Sequence, residues 1–136
     1  MKAYFGRRYM VSASHRLHTA ALSADENRAV YGKCNNEHGH GHNYVVEVLV
    51  GGKADAETGM VVDLVALDRA VRERVLDRFD HASLNLDPLF ADRVPTTENL
   101  CRAIFDLLSD AVPAGELERV RVEETENNSF ECSLGG

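Results

Sequence analysis

The sequence has few cysteines, no block of basic residues and no long hydrophobic run, and each absence excludes a class of protein. Three cysteines cannot all pair, so we expect reduced thiols in the cytoplasm rather than a disulfide framework. Lys and Arg number 15 against 22 Asp and Glu, a formal net charge of −7, which argues against binding to nucleic acids or anionic membranes. No early apolar stretch has the character of a signal peptide or a membrane span.

No repeat, low-complexity tract or linker divides the chain, so one domain is expected over residues 1–136. Six segments carry the composition or the apolar spacing of strands and helices. In chain order they predict strands at residues 3–12 and 44–50, helices at 64–75 and 98–111, and strands at 120–124 and 130–134. This order is typical of an α+β fold, a four-stranded antiparallel sheet with two helices on one face. Its two open edges would be covered by self-association.

Residues 16–41 show no sustained periodicity and are rich in Asn, Asp, Gly and His, which predicts a long functional loop. In an extended segment His38, His40 and His42 could share a face, because residues two apart project to the same side. Two neighbouring imidazoles suit one zinc ion, while the third lies about 13 Å along the strand.

A third ligand would then come from His15 or His18, at the end of the first strand. Three imidazoles would leave an open coordination position, as in catalytic zinc sites. The alternative is a solvated histidine loop that binds metals adventitiously.

The cysteines allow several interpretations. Cys34 could be a fourth zinc ligand, which would close the site, or a nucleophile or base beside an open one, or an inert half-buried thiol. Cys101 and Cys132 lie on apolar stripes, and we expect both to be inert.

Two acidic positions are also candidates. Asp80 precedes His81, and an adjacent carboxylate can orient an imidazole, although such a pair at a helix end is often structural. Glu124 continues the inward face of the fifth predicted segment, where a buried carboxylate needs hydrogen-bond donors. A ligand with two parallel N–H groups would supply them; otherwise Glu124 reaches water at the strand end.

These motifs, taken in order, resemble those of the 6-pyruvoyltetrahydropterin synthase family over residues 9 to 128. The matching segments are Ser12-Ala13-Ser14-His15-Arg16-Leu17, Cys34-Asn35-Asn36, Gly39-His40-Gly41-His42-Asn43-Tyr44, Thr58-Gly59-Met60-Val61-Val62-Asp63, Asp80-His81, Leu84-Asn85-Leu86, Thr96-Thr97-Glu98-Asn99 and Glu123-Glu124-Thr125-Glu126-Asn127-Asn128. Each is weak alone, but coincidence of all of them in sequence is implausible.

The resemblance implies the tunnelling fold, in which three subunits join their sheets into a barrel and two trimers stack into a homohexamer. It also implies a set of roles, which follows motif position alone. The zinc ligands would be His15, His40 and His42, with His18 and His38 extra; the catalytic residues Cys34, Asp80 and His81; the pterin anchor Glu124; and residues near the pterin pocket Thr96 and Thr97.

The reaction implied is that of a zinc-dependent lyase, which converts 7,8-dihydroneopterin triphosphate to 6-pyruvoyltetrahydropterin with loss of triphosphate. The Cys34 thiolate, its pKa lowered by nearby positive charge, would abstract a side-chain proton. Arg7, Arg8, Arg16 or Lys33 could form a basic mouth for the triphosphate.

Two alternatives remain. The related 6-carboxytetrahydropterin synthases of queuosine-type deazapurine synthesis release acetaldehyde, and they have three residues between the cysteine and His-Gly-His. The five-residue gap from Cys34 to His40 favours the pyruvoyl type, yet His38-Gly39-His40 also satisfies the shorter spacing. The second alternative is a homologue that acts on another pterin, or a hexamer that only binds zinc or a pterin.

Overall fold

The computed structural model describes residues 1–112 and 115–134. Its strands are β1 (Ala3–His15), β2 (His40–Gly52), β3 (Ala82–Ser83), β4 (Glu116–Glu123) and β5 (Ser129–Cys132). Its helices are α1 (Ala24–Tyr31), α2 (Leu64–Val71), α3 (Asp77–Phe79) and α4 (Thr97–Leu108). A π-helical turn, Arg72–Leu76, joins α2 to α3, and a 3-10 turn, Gly32–Asn35, follows α1. No helix of the described segments has both the length and the hydropathy needed to cross a bilayer.

The sheet has five strands in the order β3-β1-β2-β4-β5, so the expectation of four strands was wrong. The additional strand is β3, two residues that pair in parallel with Ala13 and Ser14. Two residues cannot display an alternating pattern. This strand is defined by its tertiary contact with β1, which the sequence does not reveal. The other strand pairs are antiparallel, as expected.

The predicted loop at residues 16–41 was also partly wrong, because it contains α1. Ser23 caps this helix through a capping box with Glu26, a spacing that is visible in the sequence. The buried residue of α1 is the polar Asn27. The helix therefore lacks the apolar periodicity on which the prediction relied.

The helices α2 and α4 pack against one face of the sheet. The core there is formed by sheet residues such as Tyr44, Val46 and Val122 and by helix residues such as Leu67 and Ile104, all fully buried. The opposite face carries ion pairs between strands, among them Arg8 with Glu123 and Arg119 with Glu47. One face of the sheet is thus apolar and buried, and the other face is charged.

Candidate metal centre and adjoining cleft

Three histidines converge where the C-terminal end of β1 meets the start of β2. Antiparallel pairing sets His15 opposite His40, and Ala13 opposite His42. Residues directly opposite each other project to the same face, here the face that the helices cover. The ring centroids lie 5.0 Å apart for His15–His40, 5.1 Å for His15–His42 and 4.6 Å for His40–His42. Of the two candidates for a third ligand, the fold brings His15 to this cluster.

Backbone carbonyls set the tautomers of two of these rings. His15 Nδ1 lies 2.8 Å from the Pro95 carbonyl oxygen, and His40 Nδ1 lies 3.3 Å from that of Lys33. A carbonyl can only accept, so each neutral ring carries its proton on Nδ1 and presents a bare Nε2. Burial also lowers the pKa of His15 and of His42. Neutral imidazole is the form that binds a metal ion.

The bare nitrogens are spaced for a metal ion. His15 Nε2 and His40 Nε2 lie 3.3 Å apart, where two lone pairs repel unless a cation lies between them. Nitrogens bound tetrahedrally at about 2.0–2.1 Å from zinc are separated by about 3.3 Å, so the donor set fits this ion. His40 Nε2 and His42 Nε2 are 2.8 Å apart, a hydrogen-bond distance. His42 would therefore turn slightly to bind the same ion.

Cys34 lies beside the imidazoles, in the 3-10 turn after α1. Its thiol and the nearest nitrogens of His15 and His40 all lie within 4.8 Å of one another. Two bonds hold the turn: Leu17 N–H donates to the Cys34 carbonyl, and the Asn35 amide donates to the Leu17 carbonyl, both at 2.7 Å. Burial, reinforced by the charge of Glu124, raises the pKa of the Cys34 thiol. A Zn²⁺ ion bound by the imidazoles would add positive charge beside the thiol and so favour the thiolate.

Glu124 follows β4 directly, and its side chain is 16% exposed, so it does not simply extend into water. The Thr97 hydroxyl donates to Glu124 Oε2, while Oε1 lies 3.9 Å from His42 Nε2. Glu124, His15 and His42 form a second group whose potential ligand atoms lie within 4.8 Å. The carboxylate is thus oriented on one side and can accept from a ligand on the other.

The segment that leads into α4 contacts both His15 and Glu124. Pro95 accepts from His15 through its carbonyl, and Thr97 donates to Glu124. Thr96, by contrast, caps α4 by accepting from Asn99 N–H at 3.1 Å. Sequence reasoning missed Pro95, because a backbone carbonyl has no side-chain signature.

Tyr44 is a second residue that sequence reasoning missed. It is fully buried, and its hydroxyl lies 3.2 Å from His15 Nδ1. Tyr44 continues the alternation of His40 and His42 along β2. This spacing could have indicated that it shares their face.

Asp80 and His81 do not join this cluster within one chain. Asp80 accepts from Ser12 N–H at 2.9 Å. His81, with φ of 58° and a side chain 82% exposed, lies 3.6 Å from the Asp80 carboxylate. His81 lines a cleft of about 350 Å³ that shares only Gly41 and His42 with the cleft lined by Cys34.

The two extra histidines also lie apart from the imidazole cluster. His38 is exposed before β2 begins, and His18 Nδ1 accepts from the Asn35 amide at 3.0 Å.

The cleft beside Cys34, of about 1000 Å³, carries a cluster of basic side chains: Arg16, Arg28 and Lys33, with Glu37 as the acidic residue in the lining. Arg16 and Lys33 have no carboxylate within ion-pair distance in the described part of the chain, whereas Arg28 pairs with Asp25. The other two cations considered from the sequence lie elsewhere: Arg7 pairs with Asp68, and Arg8 with Glu123. An acidic protein thus has a locally basic cleft.

Comparison with known proteins gives consistent results. The family model described as 6-pyruvoyl tetrahydropterin synthase matches residues 6–134. The 6-pyruvoyl tetrahydrobiopterin synthase of Poecilia reticulata is 49% identical over 126 residues, 92% of this chain and 86% of that protein. The solved 6-pyruvoyl tetrahydropterin synthase of Caenorhabditis elegans superposes with a TM-score of 0.93 at 39% identity, covering 99% of this chain and 97% of that one. A putative 6-carboxy-5,6,7,8-tetrahydropterin synthase of Archaeoglobus fulgidus is 43% identical over 88 residues, 65% of this chain and 70% of that protein.

Proposed function

Because the chain belongs to the 6-pyruvoyl tetrahydropterin synthase family, we propose that it is a zinc-dependent pterin synthase acting on 7,8-dihydroneopterin triphosphate. The product is 6-pyruvoyltetrahydropterin, formed by internal proton transfer and loss of triphosphate, and the whole chain acts as one domain. One observation carries this proposal: three imidazoles, a thiol and an oriented carboxylate meet at one edge of the sheet.

His15, His40 and His42 hold the zinc. Two bare nitrogens at tetrahedral ligand spacing support this assignment. Bound Zn²⁺ supplies a Lewis acid at the side-chain hydroxyls of the substrate, which makes the adjacent C–H groups more acidic.

Glu124 anchors the pterin ring. Its ionised carboxylate accepts the two parallel N–H groups of the amino-pyrimidinone edge, a charge-assisted fork. Thr97 holds one carboxylate oxygen in place. This leaves the ring fixed and the substrate side chain directed toward the neighbouring histidines and Cys34.

Cys34 removes a proton from the substrate side chain, and the Asp80–His81 pair returns or relays protons. The basic side chains Arg16, Arg28 and Lys33 receive the triphosphate in the cleft that Cys34 lines. No redox cofactor is required, because hydrogens only move within the substrate.

The active protein is a homohexamer made of two stacked trimeric barrels. His81 and Cys34 line different clefts of one chain, so His81 serves a Cys34 cleft of another subunit. The 82% exposure of the His81 side chain leaves it available for this contact.

The 6-carboxytetrahydropterin product is the second candidate, because a relative of that description matches 65% of the chain. Residue placement favours the pyruvoyl type. The position of His40 and His42 in the cluster, with His38 exposed outside β2, supports the longer gap from Cys34.

The test is incubation of the zinc-loaded protein with 7,8-dihydroneopterin triphosphate, with products identified by mass spectrometry. We expect 6-pyruvoyltetrahydropterin; the 6-carboxy product with acetaldehyde would establish the second candidate. Unchanged substrate beside a fully occupied metal site would overturn both.

Replacing Cys34 by Ala separates an enzyme from a protein that only binds its ligand. We expect turnover to fall by about 10³-fold or more, as for loss of a nucleophile or base, while metal content measured by elemental analysis stays unchanged. Loss of the metal would instead make Cys34 a ligand. Cys132→Ala is the matched control, because that thiol lies outside the site.

A further inference from the structure

The other two cysteines face each other across the interface between α4 and the edge of the sheet. The Cys101 thiol projects from α4 and donates to the Val120 carbonyl at 3.3 Å and the Phe130 carbonyl at 3.5 Å. Cys132 pairs with Val120 in the antiparallel ladder, so its side chain lies on the face where Val120 is buried. Because the Cys101 thiol lies against the carbonyls of Val120 and Phe130, and Cys132 is the ladder partner of Val120, the two cysteine side chains are neighbours. The packing of α4 against the sheet thus places the two cysteine side chains next to each other. The sequence predicted two inert cysteines and did not predict this proximity.

The two thiols differ in access to solvent. Cys101 is fully buried, whereas Cys132 is partly exposed on the last strand. Burial, with the neighbouring Cys132, raises the pKa of the Cys101 thiol. Cys132 is therefore the group that meets a dissolved reagent first, and Cys101 is the group that can only react with a neighbour.

We infer that Cys101 and Cys132 are a site of reversible oxidation, which a small-molecule disulfide such as oxidised glutathione converts to an intramolecular disulfide. The Cys132 thiolate attacks the reagent, forms a mixed disulfide and releases one glutathione. The Cys101 thiol then attacks the Cys132 sulfur, its proton passes to the departing glutathione thiolate, and the second glutathione is released. Two protein thiols are oxidised while one reagent disulfide is reduced to two thiols, so atoms and electrons balance.

The bond would fasten α4 to β5. Both elements flank β4, the strand that leads into Glu124. Thr97, the first residue of α4, contacts Glu124, and Pro95 just before the helix contacts His15. Cross-linking would also close a loop of about 30 residues and so restrict the unfolded chain. The oxidised protein is therefore expected to resist unfolding more than the reduced one.

The test is to treat the folded, zinc-loaded protein with oxidised glutathione, alkylate the remaining thiols and digest with trypsin. The three cysteines fall on separate tryptic peptides, residues 34–53, 94–102 and 122–136. We expect peptide 94–102 linked to 122–136 and an intact mass lower by two hydrogens. Tm should rise by about 5 °C or more, and the rise should be reversed by dithiothreitol.

Cys132→Ser is the matched control, because it keeps the shape of the partly exposed side chain and removes one sulfur. It should give neither the linked peptide nor the rise in Tm, and Cys101→Ala should accumulate a stable glutathione adduct on Cys132. Three results with the wild-type protein would overturn the inference. Cys132 could carry a glutathione adduct while Cys101 stays free, or Cys132 could fail to react. A disulfide could also form with Cys34 or with another chain.

Discussion

One hydroxyl group orients the carboxylate of Glu124 for a ligand. Thr97 donates to Oε2, which keeps a second lone pair for a ligand, and Oε1 lies beside His42. A carboxylate with one fixed oxygen keeps its plane, so a planar ligand edge meets acceptors already in position.

Glu124→Gln therefore tests the anchor. The amide keeps the side-chain size but presents a donor where the carboxylate accepts, so an incoming N–H loses its partner. We expect the affinity for an unreactive oxidised pterin, measured by fluorescence titration, to fall about 100-fold. Metal content should stay unchanged.

The matched control for this change is Glu126→Gln, an exposed residue on the same turn. It should bind the pterin as tightly as the wild type. Equal affinity in Glu124→Gln would remove the anchor role from Glu124.

At the same scale, the sequence indicated side chains better than backbone groups. The spacing of His38, His40 and His42 predicted a shared face; the structure shows it for His40 and His42, whereas His38 lies outside β2. The sequence alone could not choose between His15 and His18, because the choice depends on how β1 pairs with β2. The bond to the Pro95 carbonyl and the proximity of Cys101 to Cys132 arise only when distant elements pack.

At the scale of single elements, α1 depends on a buried amide. The Asn27 side chain donates to the carbonyls of Thr19, Leu22 and Ser23 at 2.9, 3.2 and 3.0 Å, and accepts from Thr19 N–H at 2.9 Å. These bonds fold residues 19–23 against the helix that precedes the Cys34 turn.

Asn27→Ala should cost about 2–3 kcal/mol in the free energy of unfolding measured with urea, because several buried backbone groups lose their partners. Hydrogen exchange should accelerate over residues 19–36 before the rest of the chain. Asn127→Ala, an exposed asparagine, is the control and should stay within about 0.5 kcal/mol of the wild type. No change in either measurement would show that α1 does not need this amide.

The turn after β3 depends on a charged fork. Arg78 donates through Nε and an Nη to the two oxygens of Asp87, each at 2.8 Å, and Asp87 also accepts from Leu89 N–H. The Arg78 guanidinium is the main cause that lowers the pKa of Asp87. Because the carboxyl pKa is lower in the folded state, the carboxylate stabilises the fold at pH values above the unfolded-state pKa of about 3.9. This contribution is lost as the pH falls through the folded-state pKa.

Asp87→Asn should therefore destabilise the fold by about 1 kcal/mol at neutral pH, a value kept small because Arg78 is partly exposed to solvent. In urea titrations the difference from the wild type should persist from about pH 5 to 8 and shrink below about pH 4. Asp110→Asn breaks a more exposed ion pair with Arg74 and should change stability less. A difference that grows as the pH falls would contradict this assignment.

For the elements as a whole, long periodic segments were predicted well and short ones were not. The helix predicted over residues 98–111 corresponds to α4, which ends at Leu108, and most of its apolar stripe is buried: Leu100, Ala103, Ile104 and Leu108. The strand β3 was not predicted because it has only two residues, and the helix α1 was not predicted because its buried residue is polar. Local patterns thus identify the long elements that build the core, and miss short or polar elements such as β3 and α1.

At the scale of the whole molecule, the two clefts predict that active sites form between subunits. Mixing inactive Cys34→Ala and His81→Ala chains under conditions that exchange subunits should restore activity. With random assembly, about a quarter of the sites would combine an intact Cys34 with an intact His81 from another chain. Activity is measured after separation of the hexamer by size exclusion with light scattering.

Two results would oppose this arrangement. If the mixed hexamers stay inactive, Cys34 and His81 of the same chain must act together. If the protein is a monomer in solution and still active, no second subunit is needed. Mixing Cys34→Ala chains with wild type under the same exchange conditions controls for loss of activity during handling.

The start of α4 has a thermodynamic consequence. Pro95 bonds to a proposed zinc ligand and Thr97, two residues later, bonds to the proposed pterin anchor, so one short segment contacts both proposed binding sites. If zinc binding moves this segment, the same movement changes the position of the group that holds the pterin anchor. Zinc and pterin affinities are then linked reciprocally: the factor by which zinc strengthens pterin binding equals the factor by which the pterin strengthens zinc binding.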